Sequence, residues 1–233
     1  MLAIYMLVVD RLEYLQRTLK GLEEQNSEDF VLFLLSQGSN KETNQWLTDY
    51  KCSRKLYEYK WDENKGISHG SNFLINEIGN RMPHYGFDSI AKIDNDVDTV
   101  TPNWLDRCAT IARQYNILCS PLVLGLSMFP EGVPGYATQI LNTEKVRLTR
   151  HIGGIVHMAK TGLHLSHLYS PNLTMAMDQD TTLSRHAKLQ YYLIGYLEDV
   201  QVKHMDSTEG QVTKYPEYFQ LKAKWEREKY VDD

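Results

Sequence analysis

The sequence predicts an α/β fold: one domain with a mostly parallel central sheet flanked by helices. Three observations carry this. Apolar runs of strand length alternate with amphipathic helical stretches, and several runs are continuous, as in strands buried on both faces. No repeat, low-complexity linker or composition shift divides the 233 residues. Helix–strand alternation at this spacing implies right-handed βαβ units. Ligands of such sheets lie beyond the carboxyl ends of the strands, so functional residues are sought there.

The elements follow in order. Ala3–Val9 is a buried first strand. Asp10-Arg11-Leu12-Glu13 has the form of a capping box, and Leu12, Leu15, Leu19 and Leu22 then mark a helix ending near Gln25. Phe30–Leu35 is a second buried strand, and Ser39-Asn40-Lys41-Glu42 repeats the box before a helix through Tyr50. Tyr57, Tyr59 and Trp61 alternate with Glu58 and Lys60, the pattern of an edge or half-buried third strand. A short helix is expected from Ser71 to Ile78, then an irregular stretch with Pro83 and Gly86. Ser89–Ile93 is a fourth strand. Thr101 caps a helix that begins at Pro102 and runs through Tyr115. Ile117–Leu126 reads as a strand broken by Pro121, followed by a turn-rich loop over Pro130–Gly135. The pattern then weakens to a strand at Ile152–Met158, a helix at Thr181–Gln190 and a last strand at Tyr196–Val202. The core is taken as 1–204, and 205–233 as a tail whose polar stretch Thr213–Tyr230 forms a surface helix after Pro216.

Composition removes several function classes. The three cysteines, Cys52, Cys108 and Cys119, form no CxxC pair, which excludes a disulfide scaffold or Cys-rich zinc module and suggests a reducing, cytoplasmic setting. Lys+Arg 25 against Asp+Glu 30 leaves a net charge of −5, the wrong sign for a generic nucleic-acid binder. The apolar run at Met1–Val9 is too short to span a bilayer. GxGxxG after a strand, a Walker loop, HExxH and GxSxG are all missing, which disfavours dinucleotide oxidoreductases, P-loop enzymes, zincins and serine hydrolases.

Chemistry concentrates in a few places. Asp94-Asn95-Asp96 directly follows the fourth strand. In an extended segment Asp94 and Asp96 project together while Asn95 faces away. Two adjacent carboxylates repel unless a cation lies between them, and hard oxygen ligands suit Mg²⁺ or Mn²⁺. An EF-hand loop fails here, because Thr99 and Leu105 stand where Gly and Glu are required. The bland reading is a solvated acidic turn. Asp180 opens a helix with Gln179 before it, which makes it either an N-cap or a general base. His204 ends the last strand as a metal ligand or an ordinary strand-end histidine. Asn64-Lys65-Gly66, with Gly70 and Asn72, lets backbone approach a ligand closely and offers Lys65 to a phosphate; an ordinary loop explains it equally. His151, His157, His164 and His167 crowd one stretch without an accompanying acid or cysteine, a poor zinc site.

In their order along the chain, these pieces resemble the GT-A glycosyltransferases of the large inverting family called family 2, from about Ala3 to His204. Asp10-Arg11 falls where that family has Asn-Arg, and Ser36-Gln37-Gly38-Ser39 falls on its Asp-Asp-Gly-Ser turn. Asn64, Gly66, Gly70 and Asn72 fit its N-x-G-x-x-x-A-x-N segment, with Gly for Ala. Asp94-Asn95-Asp96 matches its DxD motif, followed by Pro102 and Trp104-Leu105. Gly153-Gly154 resembles its glycine pair, Gln179-Asp180 with Leu183 and Arg185 its E-D-x-x-L-x-x-R motif, and His204 its closing histidine. Two departures stand out. Ser36 or Gln37 replaces the acid that contacts the base, leaving the nucleotide open between UDP and other carriers. Gln179 replaces Glu, leaving Asp180 as base, or Asp178 if the register shifts by two.

The resemblance implies a nucleotide-sugar donor bound around Asp10, Arg11, Ser36, Gln37, Asn64, Lys65, Gly66, Asn72, Asp94 and Asn95. It implies Mn²⁺ or Mg²⁺ at Asp94, Asp96 and His204, and Asp180 as the base for an acceptor hydroxyl on a saccharide, peptide or modified nucleobase. The alternatives are a nucleotidyltransferase acting on a sugar phosphate, disfavoured by the lack of glycine before Gly21, and a non-catalytic binding module of the same fold.

Overall fold

The computed structural model describes residues 1–25, 29–125, 137–170 and 179–205. The expected loop at Pro130–Gly135, the tail helix and Asp178 lie outside them. The chain runs β1 (Leu2–Val8), α1 (Leu12–Glu23), β2 (Phe30–Gln37), α2 (Lys41–Asp49), β3 (Lys55–Trp61), α3 (Ile67–Tyr85) and β4 (Ser89–Ile93). It continues with β5 (Val97–Thr99), α4 (Trp104–Gln114), β6 (Ile117–Leu124), β7 (Ala137–Leu141), β8 (Glu144–Leu148), β9 (Val156–Lys160), α5 (Thr161–Leu165), α6 (Gln179–Leu189) and β10 (Leu193–His204).

One ten-stranded sheet takes the order β3-β2-β1-β4-β9-β6-β10-β8-β7, with β5 paired to β10. Strands β3, β2, β1 and β4 pair parallel with one another in that order, and β6 pairs parallel with β10. The pairings of β9 with β4 and β6, of β8 with β10 and β7, and of β5 with β10 are antiparallel, so the sheet expected to be mostly parallel is parallel over its first four strands and mixed beyond them. On one face Ile4, Leu32 and Ala91 pack with Leu15 and Leu19 of α1, Leu47 of α2 and Trp104 of α4. The other face, with Tyr5, Phe33 and Ile90, packs against Leu74 and Ile78 of α3, Leu163 of α5 and Leu183 of α6.

Several local expectations change. Asp10 forms no capping box: the N-cap of α1 is Arg11, in the left-handed region, without a side-chain cap. At α2 the cap is Asn40, whose side chain accepts from the Thr43 amide at 2.8 Å. Helix α3 runs on past Ile78 with Pro83 inside it, because Met82 and Tyr85 still reach the core, and stops at Gly86 (φ 61), whose amide donates to the Met82 carbonyl. Helix α4 begins after Asn103, beyond the expected Pro102. Pro121 does not break β6; the irregularity falls on β10, whose register shifts between Leu197 and Gln201 opposite it. The β7–β8 hairpin and α5 have no counterpart in the sequence reading.

Candidate active site

The order of strands turns at β1: β2 and β3 lie to one side and β4 to the other. The crevice at such a switch point, outside the strand carboxyl ends, is where open α/β sheets bind ligands. The loops after β1 and β4 meet there. Asp10 (φ 48) and Arg11 (φ 55) are consecutive left-handed residues, a costly conformation that persists where neighbours over-determine it. Those neighbours are visible. Asp10 Oδ1 accepts from the Asn40 amide at 2.6 Å, the Asp10 amide donates to Ser39 Oγ at 3.3 Å, and Asn95 Nδ2 donates to the Asp10 carbonyl at 3.3 Å.

The twisted loop turns Arg11 across the crevice. Its Nη1 donates to Asp96 Oδ2 at 2.7 Å and its Nη2 to Asn95 Oδ1 at 2.8 Å. Asn95 therefore does not face away, as strand alternation would place it. Strand β4 ends at Ile93, and the chain turns so that Asn95 and Asp96 share one guanidinium. His204, at the end of β10, brings Nε2 to 3.2 Å from Asp96 Oδ2. Burial alone would raise the Asp96 carboxyl, but its contacts with His204 and Arg11 outweigh that and hold it down at about 2. Its other oxygen, Oδ1, is buried without a hydrogen-bond partner.

Asp94 points elsewhere. Its Oδ1 accepts from Lys92 Nζ at 2.7 Å. Lys92 is 5% exposed and also donates to the Gly154 carbonyl. Burial would lower its ammonium, but Asp94, Asp180 and Tyr5 raise it above its ordinary value, so it stays charged. Asp94 is itself raised, by burial first and by Asp96, with Lys92 opposing. Beyond Gly154 lies Asp180, in the first turn of α6. A Cβ on Gly154 would overlap both oxygens of that carboxylate, so glycine is required for the approach. Burial pushes Asp180 up to about 6, with Lys92 and the Gly154 backbone opposing and Asp94 assisting.

The remaining predicted residues line the neighbouring strand ends. Ser36 Oγ donates to Asn44 Oδ1 at 2.8 Å, and Gln37 is buried with Oε1 unpartnered. Gly38 (φ 61) passes so close to the Asn64 amide that a Cβ would stand 2.9 Å from it. Asn64 Oδ1 accepts from the Gly66 amide at 2.9 Å, and the Lys65 ammonium lies 5.2 Å over the Trp61 ring. A polar cavity of about 350 Å³ borders the same ends, between Asn44, Thr48 and Lys60, and shares Ser39 with the Asp10 loop. Asn72 is spent structurally: its amide donates to the Tyr169 carbonyl at 2.7 Å and accepts from the Tyr169 amide at 2.8 Å.

Sequence reasoning missed Lys92. Its only signal is a lysine inside an otherwise uncharged, fully buried strand, Ser89–Ile93. No three His, Cys, Asp or Glu groups among the described residues converge as a ready-made metal cage, which includes the crowded histidines. The donor chemistry at the strand ends nevertheless fits a hard divalent cation. Asp96 keeps a buried, unpartnered carboxylate oxygen, Asp94 follows the same strand, and such ions are commonly held by one or two carboxylates completed by substrate phosphates.

No known family's sequence profile matches the chain, and no curated protein matches it. In fold it is similar to the mannosyltransferase PcManGT from Pyrobaculum calidifontis, solved with GDP-Man and Mn²⁺: TM-score 0.67, 11% identity, 91% of this chain and 59% of that one. It is similar also to GalNAc-T7 solved with UDP, GalNAc and Mn²⁺ (0.66, 11% identity, 87% and 42%). A third likeness is to S. aureus TarS 1-349 (0.61, 16% identity, 87% and 59%). The chain thus spans less than two thirds of each of these structures. No described helix is long and apolar enough to cross a membrane. The fold is the one these glycosyltransferases share, the GT-A fold that the order of the motifs leads one to expect.

Proposed function

We propose that this protein is an inverting glycosyltransferase that moves a sugar from a nucleoside-diphosphate sugar to an acceptor hydroxyl. Fold alone does not assign chemistry. The observation that carries the reading is the contrast between two carboxylates in one crevice: Asp96, whose Oδ2 meets Arg11 and His204 while its Oδ1 is buried without a partner, and Asp180, seated against Gly154 with burial raising its carboxyl. Carboxyl groups pushed apart in this way take different roles.

Asp94 and Asp96, with His204, would hold Mn²⁺ or Mg²⁺. Bound there, the cation supplies Lewis-acid stabilisation of the departing nucleoside diphosphate. Arg11 keeps Asp96 ionised and oriented. Asp10, Arg11, Ser36, Gln37, Asn64, Lys65, Gly66, Asp94 and Asn95 form the donor side of the crevice, with Asn72 shaping it from behind. Asp180 accepts the acceptor's hydroxyl proton as that oxygen attacks the anomeric carbon. The bond to the diphosphate oxygen breaks with its electron pair, and the centre inverts. The acceptor is a saccharide, peptide or modified nucleobase, and the setting is cytoplasmic, in keeping with three free thiols.

The test is incubation with a panel of nucleotide sugars and Mn²⁺, beginning with GDP- and UDP-sugars. Metal-dependent release of a nucleoside diphosphate is the expected result. Pyrophosphate exchange with a sugar phosphate would instead establish a nucleotidyltransferase, and no turnover of any donor would establish a binding module.

A further inference from the structure

Tyr5, Lys92 and His157 are register partners on adjacent strands β1, β4 and β9, so they form one transverse row on the face covered by α3, α5 and α6. All three are at most 5% exposed. A lysine is the costliest member such a row can have, because its charge must be compensated where water cannot reach it. Compensation comes from two directions. On one side Nζ donates to Asp94 Oδ1 at 2.7 Å, where the fourth strand ends. On the other it donates to the carbonyl of Gly154, in the loop leading into β9. That same glycine is the one that makes room for the Asp180 carboxylate, and its backbone hydrogen-bonds to it. One ammonium therefore stands between the carboxylate of the donor end and the loop that seats the base.

We propose that Lys92 is a positioning residue for the transfer: it ties Asp94 to the Gly154 loop and so fixes the spacing between the donor end and the base end of the crevice. The proposal rests on the transferase reading above. Its physical content is twofold. The ammonium offsets the mutual repulsion of the Asp94 and Asp180 carboxylates. It also holds the Asp94 side chain to the Gly154 loop, beside the backbone bond from the Asp94 amide to the Ile155 carbonyl (2.9 Å), which leaves the carboxylate itself free to turn. A displacement of about 1 Å in such a geometry costs on the order of 10²-fold in rate.

The test compares full-length wild type with Lys92→Met and Lys92→Arg. The readout is nucleoside diphosphate release from a turned-over nucleotide sugar with Mn²⁺, water standing in as acceptor. Lys92→Met is expected to lower kcat by roughly 10²-fold and to leave the donor KM within about threefold. Its melting temperature should fall, since Asp94 and Asp180 lose their shared cation, so the split between kcat and KM is the readout that decides. Lys92→Arg, which keeps the charge, should recover about a tenfold part of the loss. A purely structural lysine would instead change KM and kcat together, and Lys92→Arg would restore stability without restoring kcat. Crystal structures of wild type and Lys92→Met should show Asp94 and the Gly154 carbonyl moving apart. Lys92→Gln is read the same way if Lys92→Met does not fold. A kcat within about threefold of wild type, or an unmoved Asp94 and loop, overturns the proposal. If wild type itself turns over no nucleotide sugar, the transferase reading fails, and the paired structures still decide whether Lys92 makes the tie.

Discussion

The crevice has two ends, and the same residue type behaves oppositely at each. At the donor end Asp96 is 2% exposed and receives Arg11 and His204 on one oxygen. At the base end Asp180 rests against a glycine, and the cation that favours its charge, Lys92, is hydrogen-bonded to Asp94 instead. Burial acts on both carboxyls in the same direction; what separates them is how many partners answer it. A carboxylate with dedicated partners stays ionised and can bind, whereas one left to burial is poised to take a proton.

The largest effect on binding is expected from removing the charge of Asp96. Asp96→Asn leaves Arg11 and His204 without their anion and should weaken Mn²⁺-dependent nucleoside diphosphate binding by about 10²–10³-fold, the roughly 2–5 kcal/mol typical of breaking a buried charge set. Calorimetry with GDP and UDP checks this, and unchanged affinity would erase the distinction between the ends. The base end is broken with acid. As the proposed base, Asp180 must be ionised to act, and its carboxyl is raised to about 6, so kcat should fall about tenfold per pH unit below that value. A rate level down to about pH 4 would remove it as the base.

The smallest effect concerns the polar groups beneath the base end. The rings of His157 and His164 stack at 5.4 Å in full burial. Burial holds His157 well below its ordinary value and His164 at about 3. The folded state then binds fewer protons than the unfolded chain below about pH 6.5, so stability is lost as pH falls. The slope per buried histidine is about 1.4 kcal/mol per pH unit, or a few degrees in melting temperature. His164→Phe should flatten that dependence between about pH 6 and about pH 4; an identical slope would show that these rings are not what titrates.

What was legible in the sequence follows from burial. Strands β1 and β2 are covered on both faces and read as apolar runs, β4 is as buried but carries Lys92, and β3 shows the alternation of a half-buried strand; the strand-end positions of Asp10, Ser36, Asn64 and Asp94 followed from them. Strand β7 is exposed over Ala137–Ile140 and joins β8 through Asn142 (φ 56) without a glycine, so neither periodicity nor turn chemistry marks it. Asp10 illustrates a different failure. Its spacing from Glu13 imitates a cap, but the partner it finds is Asn40, thirty residues away, which no local pattern encodes. Lys92 was hidden for the same reason, since its meaning lies in Gly154 on another strand's approach.

The most direct test of the division between the ends is Asp180→Asn, assayed on one sample for Mn²⁺-dependent donor affinity and for nucleoside diphosphate release. Affinity is expected within about threefold of wild type and the rate lower by roughly 10²–10⁴-fold. Release at the wild-type rate would contradict it.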